Sequence, residues 1–349
     1  METTAETQAT LLERARGGDE HAFGELVRAH HGELRAHCYR MLGSIQDAED
    51  AVQNALLRAW RGLARFEERS TVRAWLYSIA TNTALDVASH RSRRELPVGF
   101  GPAGSAADLY ADPVTDPVWL EPCPPSWLDG AAGAAAPEAQ YEQRESVELA
   151  FMVMLQQLPP LQRAALVLRD VLGFSAAEVS DQLGLSVAAA NSALQRARAA
   201  ARTGLPAQSQ QVALRAIGAE GTARLARRYA DALESGDADA VLSLLTADAS
   251  WSMPPWPAWL HGPEVLRNWL ITDPLTCRWR HVTTEANGQL AVGCYLPDGD
   301  TDRFVPAVID VLTLAPAGDK ITAVTAFVLL DEQDPAAVFA SFGLPTELT

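Results

Sequence analysis

The chain has 349 residues, more than one small domain needs, with 48% hydrophobic residues and a net charge of −16. Its longest apolar runs, such as Ala150–Leu155, are far too short to span a bilayer, and the opening METTAETQAT carries neither the basic nor the apolar stretch of a signal peptide. A cytoplasmic, multidomain protein with no membrane attachment is expected.

The four cysteines, Cys38, Cys123, Cys277 and Cys294, form no CxxC pair. That spacing points to neither a zinc site nor a disulfide framework, so no metal and no cofactor is expected. The charge is unevenly placed. Residues 1–95 hold 13 Arg against 14 acids and residues 147–204 hold 5 Arg against 4 acids, so both are near neutral with clustered arginines. The surplus lies in residues 96–146, net −7, and 205–349, net −9. Phosphate neutralisation supplies most non-specific affinity for nucleic acid. Such a chain binds free DNA weakly and needs a partner to hold it there.

Taken in order, the chain divides at 8–95, 96–137, 138–204, 205–218 and 219–349. The first block, from about Leu11 to Arg94, reads as all helix. Phe23, Leu26, Val27, His30 and Leu34 form one face. Ser44, with Asp47 three positions on, resembles a capping box. Ala48, Ala51, Val52, Ala55, Leu56, Ala59, Trp60 and Leu63 then keep three-and-four spacing. A third helix starts near Ser70 or Thr71, buries Val72, Trp75, Leu76, Ile79, Ala80 and Thr83, and runs into the basic His90, Arg91, Arg93 and Arg94.

The stretch from Pro97 to Pro137 is rich in Pro, Gly, Ala and Asp and has no period, so it reads as a linker. Its aromatic middle, WLEPCPPSWL at 119–128, reads as an extended peptide that docks on a neighbour. A second helical block follows from about Tyr141 to Leu205, with Pro159-Pro160 closing one helix and opening the next. Ser175 with Glu178 caps a helix whose Val179 and Leu183 face inward; Gly184 turns the chain, and Ser186 caps a second helix reaching about Arg202. This is a helix-turn-helix pattern.

The last block, about Glu220 to Phe342, mixes helix and strand. Leu225–Leu245 reads as two helices turning at Gly236-Asp237, and a helix covers about Gly262–Leu270. Strands are expected at Ala249–Met253, Trp279–Glu285, Gln289–Leu296, Val305–Leu314 and Ile321–Val328, with hairpin turns at Gly288 and Gly299. Helices followed by a curved antiparallel sheet make an α+β pattern.

Two stretches carry a family likeness. Residues 38–82, with CYRMLGS, QDAEDAVQ, ALLRAW, RAWLY and IATN, resemble region two of extracytoplasmic-function RNA polymerase sigma factors. The phrases LPPLQRAALVLRDVLGFSAAEVSDQLGLS and SALQRARA resemble region four, and WLEP, SMPP, ANGQ, GCYL and FGLP resemble the subfamily with a C-terminal SnoaL-like domain. The resemblance implies a multidomain fold: two all-α modules, a region two helical bundle and a region four helix-turn-helix, plus an α+β SnoaL-like cone.

It also implies partners: core RNA polymerase, through its β′ clamp and β flap, and promoter DNA. Asp47, Glu49, Asp50, Gln53 and Asn54 lie off the apolar stripe and stand where the family docks on the β′ coiled coil. Asn54 departs from the Glu usual in relatives, which implies slightly lower affinity. Phe66, Arg69, Ser70 and Thr71 stand in the loop that captures a flipped base of the minus-ten element. Arg73 and Asn82, with Trp75 and Tyr77, stand near the melted strand, although Trp75 falls on the apolar stripe and reads as core. Arg91, Arg93 and Arg94 are expected along a phosphate backbone.

On the second helix of the helix-turn-helix, Val187, Ala188, Asn191, Ser192, Gln195 and Arg196 point outward. This helix should enter the major groove of the minus-thirty-five element. Asn191 and Gln195 are one turn apart, and each can pair bidentately with adenine. Arg198 and Arg202 suit phosphates. Without the resemblance, the acidic face and these amides read as ordinary solvated surface.

In the C-terminal cone, Trp251, Met253, Trp256, Trp259, His261 and Tyr295 are the pocket candidates, with His281, Asp310 and Asp273 as ionisable groups nearby. No specific acid–base pair is legible, so no catalytic residue is assigned. The tail is expected to take the place of a separate anti-sigma factor, and a small-molecule ligand for its pocket is unknown. The alternatives are an isomerase- or cyclase-type SnoaL-like enzyme on a vestigial sigma scaffold, and a regulator that binds polymerase without using promoters.

Overall fold

The computed structural model describes residues 2–68, 70–110, 112–114, 118–128, 142–299 and 301–349. The chain folds as two compact units. The first comprises residues 1–93, 127–146 and 150–205, and the second residues 94–126, 147–149 and 206–349.

In the first unit, α1 (Glu2–Arg16), α2 (Glu20–Leu42), α3 (Ile45–Gly62) and α4 (Val72–His90) form a bundle. Side chains fix their starts: Asp19 accepts from the Ala22 amide, Ser44 from Asp47 and Thr71 from Ala74. Each such cap contributes about 1 kcal/mol. Gly43 ends α2 at φ 70°, a left-handed position glycine adopts without a Cβ penalty. The buried stripe of α3 is small, namely Ala48, Ala51, Val52, Ala55 and Ala59, which lets α2 and α4 pack close against it.

The same unit contains α5 (Leu149–Gln157) from Ala150 on, α6 (Pro160–Leu166), α7 (Ala176–Leu183) and α8 (Val187–Gly204). Pro160 sits at the first position of α6, where its missing N–H costs nothing. A π-turn at Val167–Val171 extends α6. The helix-turn-helix closes as the sequence indicates. Ser175 and Glu178 form a reciprocal capping box, Gly184 takes φ 62°, and Ser186 caps α8.

The second unit is α9 (Gln210–Glu234, kinked at Gly218), α10 (Ala238–Leu244), α11 (Pro263–Thr272) and α12 (Pro335–Ser341) around one sheet. The strands are β1 (Leu245–Ser252), β2 (Trp259–His261), β3 (Arg280–Ala286), β4 (Gln289–Pro297), β5 (Phe304–Leu314) and β6 (Ile321–Val328), in the order β2-β1-β6-β5-β4-β3. All neighbours are antiparallel except β1 and β6. The sheet is therefore mixed, where a purely antiparallel one was expected. A parallel pair needs a long crossover, and everything between Ser252 and Ile321 supplies it. The short β2 was not anticipated.

The linker also differs from expectation. Its described residues up to Ser126 belong to the second unit, and Leu109 lies in that unit's core. The β3–β4 turn grips it. Asn287 and Gly288 both have positive φ, 53° and 65°, as a two-residue hairpin turn of this hand requires. Fully buried Asn287 exchanges two hydrogen bonds with the Cys123 backbone, each 2.8 Å, and donates Nδ2 to the Val147 carbonyl at 2.7 Å. The WLEPC segment is thus an anchored strand-like arm.

Candidate functional site

On α3, Asp50, Gln53 and Asn54 are exposed at helical spacing, and Leu57 completes the stripe at 54% exposure. Asp47 and Glu49 differ. Asp47 is buried and pairs with Arg91 at 2.7 Å, while Glu49 pairs with Arg35 at 2.9 Å. The outward surface of α3 is therefore less acidic than the sequence implied, and it contains an apolar residue.

The loop before α4 is tightly held. Phe66 is buried and stacks on Trp75, with ring centroids 4.7 Å apart. Arg16 pairs with Glu68 at 2.7 Å and donates to the Phe66 carbonyl. Ser70 and Thr71 are exposed, and Arg69 lies outside the described residues. On α4, Arg73 donates to Glu33 at 2.9 Å and lies over the rings of Tyr77 and Phe174, 4.8 and 5.1 Å from their centroids. Burial opposes ionisation of Glu33, but the His30 hydrogen bond and the Arg73 guanidinium outweigh it and hold the carboxyl below its usual range. Asn82 donates to the Gln182 carbonyl at 3.3 Å. Arg93 is exposed. Arg94 is buried, donating to the Trp119 carbonyl at 3.0 Å and pairing with Glu121 at 3.3 Å, so it is not on the surface.

On α8, Ala190, Ala193, Leu194 and Ala197 are buried, and Val187, Ala188, Asn191, Ser192, Gln195 and Arg196 are exposed. Arg196 bonds Ser192 at 2.8 Å. Arg198 is held bidentately by Asp170, at 2.8 and 2.6 Å. Asn191 and Gln195 leave their amides to solvent.

In the second unit, a half-open cleft of about 70 Å³ is walled by Leu233, Trp251, Met253, Trp269, Pro274, Trp279, His281, Cys294, Val308, Asp310, Ala326 and Val328. Its polar centre is Asp310, whose Oδ2 accepts from the Tyr229 hydroxyl at 2.8 Å and the Cys294 thiol at 3.5 Å. Burial pushes the Asp310 carboxyl up to about 6, against the lowering effect of those two donors. The same burial raises Tyr229 and Cys294 well above their ordinary values. At the edge, His281 lies 3.3 Å from Glu234, and burial holds it below its usual value against that carboxylate's pull.

Three family models match parts of the chain: Sigma-70 region 2 at residues 26–94, Sigma-70 region 4 at 148–200 and a SnoaL-like domain at 226–324. The ECF RNA polymerase sigma factor SigG of Mycobacterium tuberculosis H37Rv is 40% identical over 342 residues, 95% of this chain and 86% of that protein. The chain belongs to the extracytoplasmic-function RNA polymerase sigma factors. SigM of the same strain is 33% identical over 174 residues, half of this chain and 72% of that protein. Among solved structures, the fold is similar to that of Mycobacterium tuberculosis SigJ, with TM-score 0.55 and 24% identity over 93% of this chain and 99% of that one.

In this sigma factor, Asp50, Gln53 and Asn54 of the α3 candidates and all six outward candidates of α8 are exposed. Of the pocket candidates, some line the cleft and others do not. Trp251 and Met253 line it, but Trp259 donates its indole to the Gly101 carbonyl at 2.9 Å, with exposed His261 beside it. Tyr295 packs edge-on against Phe339 and donates to the Pro345 carbonyl. Trp256 and Asp273 are also outside the lining. Sequence reading missed Tyr229, Trp269, Trp279 and Cys294, and it did not pair Asp310. The strand alternation that puts Cys294 and Tyr295 on opposite faces was the available signal. No helix among the described residues is long and apolar enough to cross a membrane, and none of their His, Cys, Asp and Glu side chains cluster as a metal site.

Proposed function

We propose that the exposed α3 stripe of Asp50, Gln53, Asn54 and Leu57 docks on the β′ clamp of core RNA polymerase, and that α8 reads the minus-thirty-five element. Asn191 and Gln195, one turn apart on a capped helix with unengaged amides, are the observation that carries base readout. Ser70, Thr71 and Arg73 meet the melted minus-ten strand, and Phe66 and Trp75 shape the loop rather than stack on bases. Region four also contacts the β flap, and Arg91 and Arg93 follow phosphates.

The C-terminal domain modulates this activity and takes the role of a separate anti-sigma factor. Support comes from the arm that ties it to the inter-module linker through Asn287 and Cys123. Run-off transcription with purified core polymerase tests the reading. Initiation should depend on the promoter, fall with Asn191→Ala and Gln195→Ala, and change when residues 206–349 are deleted. The alternative, that the cleft catalyses an isomerisation or cyclisation, draws on the Asp310–Tyr229 pair; turnover by the full chain would favour it.

A further inference from the structure

The Asp170 carboxylate holds the guanidinium of Arg198 by two hydrogen bonds, from Nε to Oδ2 at 2.8 Å and from the terminal nitrogen to Oδ1 at 2.6 Å. A guanidinium takes a phosphate through the same fork. Asp170 comes from the π-turn that extends α6, and Arg198 from α8. Both side chains reach solvent, at 46% exposure for Arg198 and 30% for Asp170. So exposed a pair adds little to stability, and its position on α8 gives it another consequence.

Arg198 continues the stripe of Val187, Asn191 and Gln195 at three- and four-residue spacing. In a helix-turn-helix, the N-terminal residues of the second helix meet base edges. Arg198, further along, is left to the sugar-phosphate backbone. Region four has few cations to offer there. Arg196, Arg198 and Arg202 are the exposed arginines of α8, and Asp170 neutralises the middle one. The arrangement recurs in region two, where exposed Arg91, at the end of α4, pairs with Asp47 at 2.7 Å.

We propose that Asp170 is an internal stand-in for a DNA phosphate, occupying Arg198 in the free chain and giving way when a backbone phosphate takes the same fork. The inference rests on the reading of α8 as a DNA-binding helix. Binding then exchanges one ion pair for another. A cation already neutralised releases less of the counterion layer condensed on DNA, so it adds little net affinity. Asp170 thereby keeps α8 weak on DNA of any sequence and leaves discrimination to the amides of Asn191 and Gln195.

The test measures binding of the full chain, assembled with core polymerase, to two duplexes over a series of KCl concentrations. One duplex is of mixed sequence, and the other is selected from a randomised pool by the wild-type complex. Asp170→Asn should raise affinity for both several-fold and steepen the plot of log K against log salt by about 0.9, the increment for one more phosphate contact. Combining Asp170→Asn with Arg198→Gln makes a neutral pair and should restore the wild-type slope and affinity. A pair that only braces the fold would not move the slope. Asp170→Ser gives the same reading if the Asn variant fails to fold. An unchanged slope overturns the inference, and so does weaker binding by Asp170→Asn, which would make Asp170 a support that aims Arg198 at the backbone. If selection yields no preferred sequence, promoter readout by α8 fails while the salt comparison still decides the role of Asp170. If the wild-type complex binds neither duplex, both fall.

Discussion

The guanidinium of Arg163, in the region four block, donates to the carbonyl of Met41 at the end of α2 in region two. It also donates to Leu155, Gln156 and Leu158, the carbonyls left over where α5 ends, and to the Gln156 side chain at 2.8 Å. One buried cation, 3% exposed, thus serves two helix C-termini, where the helix dipole favours positive charge. Burial lowers its pKa to about 10, with Arg93 adding to the effect, which still leaves it charged at neutral pH. Replacing Arg163 with Met would leave several buried carbonyls without donors. The expected loss is about 3 kcal/mol or more, read from urea unfolding of the full chain; a change below about 1 kcal/mol would contradict this role.

Regions two and four touch through this network and through Asn82–Gln182. Their proposed DNA elements are about 25 base pairs apart, or roughly 85 Å at 3.4 Å per pair. Both modules cannot remain in contact while each occupies its element. Dyes attached at Arg65→Cys and Thr203→Cys, in a background with exposed Cys277 replaced by Ser, should move apart by tens of ångströms when polymerase and promoter are added. An unchanged distance in an active complex would refute the closed-to-open transition.

Asn191→Ala and Gln195→Ala should each cost about 1–3 kcal/mol against the preferred base at one promoter position and little against other bases. Arg198→Ala should act differently. Its guanidinium is committed to Asp170, so base preference should stay as in the wild type. Competition binding of the holoenzyme to promoter sets changed at single positions separates these outcomes.

Asp310 gives a pH signature. Its folded-state value of about 6 lies above its ordinary 3.8, so the folded state holds the proton more tightly. This contribution favours folding in full below about pH 4, and it is lost as pH rises through 6. Asp310→Asn keeps an acceptor for Tyr229 and removes the titration. Relative to wild type, the variant should gain up to about 3 kcal/mol between pH 4 and pH 7, measured by denaturant unfolding at both pH values. A pH-independent difference would rule this out.

The helical modules were legible because their signals are local. Ser44, Thr71, Ser175, Gly184 and Ser186 act within four residues of themselves, and apolar spacing places α3 and α8. What escaped depends on distant partners. Arg40 and Arg163 look like ordinary surface arginines, yet they are buried against carbonyls more than a hundred residues away. Asp47 looks like an exposed acid until Arg91 covers it. The linker's Pro and Gly content suggested a loose tether, and nothing local reveals that Asn287 holds Cys123 across 164 residues. Part of the cleft was missed for the same reason: Trp251 and Asp310 were candidates, but Tyr229 and Cys294 converge on them from a helix and another strand.

Association with the catalytic polymerase subunits tests the whole reading most directly. Purified chain mixed with core RNA polymerase should co-elute on size exclusion as one complex, and Gln53→Arg with Leu57→Asp on α3 should weaken that complex at least tenfold while leaving the chain folded. Separate elution of wild-type chain and core polymerase would contradict the central claim.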